Sequence, residues 1–213
     1  MKKVLLSFLL LGTCSFAFAQ DDQYSAAMEK NVAALDSTHS PEGLQALENN
    51  FERIANVKQT EWLPYYYAGL CQVMLAFMEQ DNSKVDALSD KAGELAAKSA
   101  ALSKDNSEIT CLQSMVASSR IKVDPRSRGM EFGMKSAQLL RAAQKLDTSN
   151  PRVYLLDGQG KFYTPEQYGG GKDAAKPILE EAVQKFASFK PAGALAPHWG
   201  EERAKLLLAQ CSQ

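Results

Sequence analysis

Three pairs of residues, each a larger side chain four positions ahead of a small one, punctuate the chain: Tyr65 and Gly69, Thr110 and Ser114, Tyr154 and Gly158. They recur at intervals of 45 and 44 residues, and each pair opens a helical pattern. A period of that size marks a solenoid of helix pairs, in which each unit buries its apolar face only against its neighbours and the stack curves around a groove.

The intervening segments repeat as well. Lys91 to Asn106, KAGELAAKSAALSKDN, overlays Lys135 to Asn150, KSAQLLRAAQKLDTSN, at an offset of 44, which superposes Leu95 on Leu139 and Leu102 on Leu146. Ile178, Leu179, Ala182 and Phe186 supply a third stripe at an offset of 40. Apolar spacing and turn residues predict helices over about Trp62 to Met78, Lys84 to Leu102, Ser107 to Val123, Gly129 to Leu146, Pro151 to Tyr163 and Lys172 to Ala187. Asp124-Pro125 ends one of these, because the residue before proline leaves the helical region, and Pro177 is expected to bend or delay another. Before them, Asp22 to Ser37 carries Tyr24, Met28, Val32 and Leu35 at helical spacing, and Ser40-Pro41 caps a helix striped by Leu44, Leu47, Phe51 and Ile54. A last helix is expected from Pro197 to Cys211.

The aromatic-x-x-x-Gly openings, the small residues of the second helices and the Asp/Asn/Pro punctuation resemble tetratricopeptide (TPR) repeats over about Trp62 to Ala187. The period exceeds that family's usual length of about 34 residues, which implies longer helices or loops. The ending, NPRVYLLDGQGKFYTPEQYGGGK through PHWGEERAKLLLAQC, is similar to exported bacterial TPR-like proteins. The resemblance implies an all-α, TPR-like right-handed superhelix of antiparallel helix pairs, about nine helices in all, serving as a binding scaffold. The expected organisation is a signal peptide over 1–19 and one domain over 20–213. That domain comprises a capping hairpin (20–60), three helix-pair repeats (61–188) and a capping helix (197–213).

Lys2 and Lys3, the apolar run VLLSFLLLG and Ala17-Phe18-Ala19 are the successive parts of a secretory signal peptide. Leu11-Gly12-Thr13-Cys14 offers a rival lipid-attachment reading, but Thr13 is bulky for that processing and the small-x-small site lies downstream. The expectation is export to the periplasm or the extracellular space. Cleavage takes two of the 24 basic residues and none of the 25 acidic ones, leaving 22 against 25, a net charge of −3. Lys and Arg alternate with Glu and Asp, so the clustered basic face that nucleic acid requires is missing. No transmembrane segment is expected either, although a membrane-associated complex is a setting open to such a scaffold.

Cys71, Cys111 and Cys211 remain after processing, an odd number. Each lies in an apolar helical stretch, so buried thiols are expected, with a Cys71 to Cys111 bridge as the alternative. Neither Cys-x-x-Cys spacing nor a histidine cluster supports a metal site, and no cofactor is expected. Tyr168-Gly169-Gly170-Gly171-Lys172 resembles a phosphate loop only superficially: Glu166 stands where that motif needs glycine and Asp173 where it needs Ser or Thr. A tight interhelical turn is the better reading. Glu180-Glu181 and Glu201-Glu202 occupy consecutive helical positions and point apart, and His198-Trp199 is expected to open the last helix with the indole plugging the core. Catalysis is not expected.

The TPR resemblance places one face of each first helix along the concave groove. Those faces carry Leu63, Tyr66, Leu70 and Val73, then Glu108, Cys111, Met115 and Ser119, then Arg152, Leu155, Gln159 and Phe162. Tyr66, Glu108, Met115, Arg152, Gln159 and Phe162 are thereby the candidate partner-binding residues for a protein or peptide. If extra helices fill the groove, the same residues are core. The expected function is an exported scaffold for protein or peptide interactions, with small-ligand or glycan binding as the alternative and a hydrolase third. Amino-terminal sequencing of the mature protein should begin at Gln20; an intact Met1, or a lipid on Cys14, would contradict plain secretion.

Overall fold

The computed structural model describes residues 22–212, so the expected signal peptide (1–19) and Cys14 lie outside the described residues. Described residues form helices without any strand: α1 (22–36), α2 (Pro41–Val57), α3 (Trp62–Met78), α4 (Asn82–Leu102), α5 (Ser107–Ser119), α6 (Pro125–Leu146), α7 (Pro151–Tyr163), α8 (Lys172–Ser188) and α9 (Glu201–Cys211). None is long and apolar enough to cross a membrane.

Helix starts follow from side chains that satisfy the free amides of the first turn. Asn106 accepts from the Glu108 and Ile109 amides at 2.9 and 3.3 Å, and Asn150 from the Arg152 amide at 3.0 Å, so the caps of α5 and α7 repeat 44 residues apart. Asp124 caps α6 through the Arg126 and Ser127 amides, with Pro125 at the first helical position. α6 therefore begins four residues before the expected Gly129, because one dipeptide both ends the preceding 3-10 turn (Arg120–Val123) and starts the next helix. Pro177 lies inside α8 without delaying its start at Lys172.

Stacking follows the pair repeat. α3 packs against α2 and α4, α5 against α3, α4 and α6, α7 most heavily against α8, and α9 against α8 and α7. Three second helices bury matching positions: Ala92, Ala96 and Ser99 on α4, Ser136, Leu140 and Ala143 on α6, Ala175, Leu179 and Ala182 on α8. The first step is 44 residues, as expected, but the second is 39, not 40: Leu179 takes the place of Leu140, whereas Leu139 is only partly buried. The small member of each pair faces its partner helix. A Cβ on Gly69 would meet Leu112 at 3.1 Å and Leu95 at 3.4 Å, Ser114 bonds Ser136 Oγ at 2.8 Å, and a Cβ on Gly158 would meet Leu179 at 2.7 Å.

Two apolar clusters result, one drawn from α1 to α5 and one from α5 to α9. Trp199 and Leu156 pack against both. Trp199 does not open α9 as the sequence implies. Gly200, at φ +112°, breaks the chain immediately before that helix, and residues 189–200 form an irregular strap.

Gly158→Leu should overpack the α7–α8 contact and destabilise the protein by about 1–3 kcal/mol. A thermal midpoint equal to that of the unaltered protein would show that the α7–α8 register differs from this one.

Candidate ligand-binding site

Six contacts hold the strap on the face formed by the first helices. Tyr67 Oη donates to the Leu195 carbonyl at 2.9 Å, the Trp199 indole N–H donates to Tyr66 Oη at 2.9 Å, and His198 Nε2 lies 3.1 Å from Asp36 Oδ2 on α1. Arg152 donates to the Trp199 carbonyl at 3.2 Å, and its guanidinium lies 4.7 Å from the Phe189 ring centroid and 5.7 Å from that of Trp199. Below it, Arg152 closes on Glu108 through two hydrogen bonds, 2.6 Å from Nε to Oε2 and 2.5 Å from Nη2 to Oε1. Burial pushes the Glu108 carboxyl up against the pull of these bonds, and the bonds in turn hold the guanidinium charged despite its own burial.

Tyr66 and Arg152 are fully buried, and Met115 and Leu155 nearly so. In this conformation a partner reaches neither Tyr66 nor Arg152 unless the strap moves. Glu108 is partly accessible but engaged with Arg152. Gln159 and Phe162 differ: they sit past the end of the strap, toward the C-terminus of α7, and remain partly exposed.

There they join two residues that the sequence reading did not single out. Arg203 on α9 donates from Nε to Gln159 Oε1 at 3.0 Å and from Nη2 to Tyr163 Oη at 2.7 Å. Tyr163 is 62% exposed, and its ring meets Phe162 edge-on at 5.1 Å between centroids. Leu206, one turn further along α9, is half exposed. An exposed aromatic ring and a guanidinium thus meet here, with an exposed aliphatic side chain one turn along α9, a composition suited to an apolar ligand that carries a negative group. Continuing the 44-residue step from Met115 through Gln159 reaches Arg203, which is the signal in the sequence that could have found it.

Reactive groups are scarce elsewhere. Cys71, Cys111 and Cys211 are free, and no Cys71 to Cys111 bridge forms. Burial pushes the Cys71 thiol up to about 12 and Cys111 well above its ordinary value, so neither offers a thiolate. Among the described residues no three His, Cys, Asp or Glu side chains converge as metal ligands. The glycine loop is a tight turn. Gly169 and Gly171 have φ of +77° and +95°, and a Cβ on Gly170 would run into the Thr164 carbonyl.

No protein-family model and no curated protein matches the chain. Among solved structures it is similar to the HusA haemophore from Porphyromonas gingivalis, with 40% sequence identity and a TM-score of 0.80, over 88% of this chain and 92% of that one.

Arg152→Ala should destabilise the fold by about 3–5 kcal/mol, because it strands a buried carboxylate. The double replacement of Arg152 by Met and Glu108 by Leu should recover much of that loss in thermal unfolding. A single variant that melts with the unaltered protein would contradict the burial of the pair.

Proposed function

Because the chain belongs to the family of the HusA haemophore, we propose that it is an exported haem-binding protein and that the surface of Phe162, Tyr163, Arg203 and Leu206 receives the ligand. The observation that carries this reading is the likeness to the haemophore, at 40% identity over nearly its whole length. Haem is a flat apolar macrocycle bearing two carboxylates, and the surface offers groups of the matching kinds. Aromatic and aliphatic side chains can cover the macrocycle, and a cation can meet its acidic edge.

This reading takes up the small-ligand alternative in place of a peptide scaffold. Two of the six residues assigned to a peptide, Tyr66 and Arg152, are enclosed by the strap, whereas Gln159 and Phe162 border the open surface. The stack of helix pairs, TPR-like in its repeat, contributes a preformed surface, so little ordering cost opposes binding. The expected amino-terminal signal peptide fits capture outside the cytoplasm.

Titration of the mature protein with haemin, followed by the Soret absorption, should give a saturable one-site curve. Tyr163→Ala should weaken it by about tenfold, equivalent to about 1.4 kcal/mol of lost aromatic contact, while the melting temperature holds. Absence of saturable binding by the unaltered protein would overturn the reading.

A further inference from the structure

Arg203, like Arg53 on α2, is held by neutral acceptors, whereas three other arginines pair with carboxylates. Arg120, Arg128 and Arg152 each close on a carboxylate: Asp90 at 2.6 Å, Asp86 at 2.7 Å and Glu108 at 2.5 Å. Arg203 is fixed by two neutral acceptors, the Gln159 amide oxygen and the Tyr163 hydroxyl. The acidic residues beside it on α9 are engaged elsewhere, Glu201 and Glu202 both meeting Lys205 at 2.9 and 3.0 Å. No carboxylate among the described residues meets the Arg203 guanidinium.

Two of its five N–H groups are used, which sets the plane of the guanidinium without cancelling its charge. The residue is partly buried, and its guanidinium meets no counter-ion among the described residues. An arrangement of that kind gains most from an anion arriving from outside, above all a carboxylate able to accept two parallel N–H bonds. Tyr163 meets both this cation and the Phe162 ring: its hydroxyl orients the guanidinium, which also lies 5.9 Å from its ring centroid, and the residue as a whole remains 62% exposed.

We propose that Arg203 is the carboxylate-recognition residue of the ligand site, oriented by Gln159 and Tyr163, and that it engages an acidic side chain of the macrocycle. The proposal rests on the haem reading above and adds which chemical group of the ligand is read and by which residue.

Binding of haemin and of its dimethyl ester, in which both carboxylates are capped, separates the possibilities when measured with the unaltered protein and with Arg203→Gln. The expected result is that the unaltered protein binds the ester at least tenfold more weakly than haemin. Arg203→Gln should bind haemin and ester alike, each near the affinity of the unaltered protein for the ester. Equal binding of haemin and ester by the unaltered protein would overturn the proposal while leaving haem binding intact, and this arm needs no variant to fold. A variant that weakens both ligands by the same factor would assign Arg203 a merely structural role joining α7 to α9, and would equally overturn it. Failure of the unaltered protein to bind either ligand would instead sink the haem reading itself, and the proposal with it.

Discussion

The Arg152 guanidinium is fully buried, and its bidentate contact with Glu108 supplies the counter-charge that makes that burial tolerable. The two residues occupy equivalent positions 44 residues apart in successive helix pairs, so the bond joins α5 to α7 where the two apolar clusters adjoin. A second set of polar contacts runs alongside. Asn150 donates to Ser107 Oγ at 3.0 Å, and Ser107 donates to the Ala143 carbonyl at 2.9 Å. The same guanidinium supports the strap, through the Trp199 carbonyl and the rings of Phe189 and Trp199.

From that support follows the division of the face formed by the first helices. Residues 189–200 cross it, Trp199 bonds Tyr66 and packs against both clusters, and Tyr66 and Arg152 become interior. What stays open is the end formed by α7 and α9, where the side chains are an aromatic pair, an aliphatic residue and a cation.

Much of the architecture is legible in the residues themselves. The boundaries of α3 and α7 fall at Trp62–Met78 and Pro151–Tyr163, as apolar spacing and the Asn150-Pro151 start imply, and Gly69 and Gly158 are close-packing positions because their repeat equivalence reflects a shared helix contact. Local signals mislead where one dipeptide serves two helices, as at Asp124-Pro125, and where a glycine with positive φ interrupts an apparent helix, as at Gly200. The strap was not legible. Its contacts join Trp199 to Tyr66 and Leu195 to Tyr67 across more than a hundred residues, and nothing in the local pattern of 189–200 encodes where it lands. Arg203 was within reach through the 44-residue step from Gln159, but Tyr163 read only as the last residue of a helix.

The central claim is spatial: ligand occupies the open end of the concave face and the strap stays in place. Backbone amide NMR during addition of haemin tests it most directly, since the paramagnetic iron broadens the signals nearest to it. The account predicts broadening confined to the C-terminal half of α7 and the first turns of α9, with the amides around Tyr66 and Leu195 unaffected. Broadening centred on α3 and the strap would contradict it, and would mean that the ligand displaces Trp199 to enter the half of the groove that the strap fills.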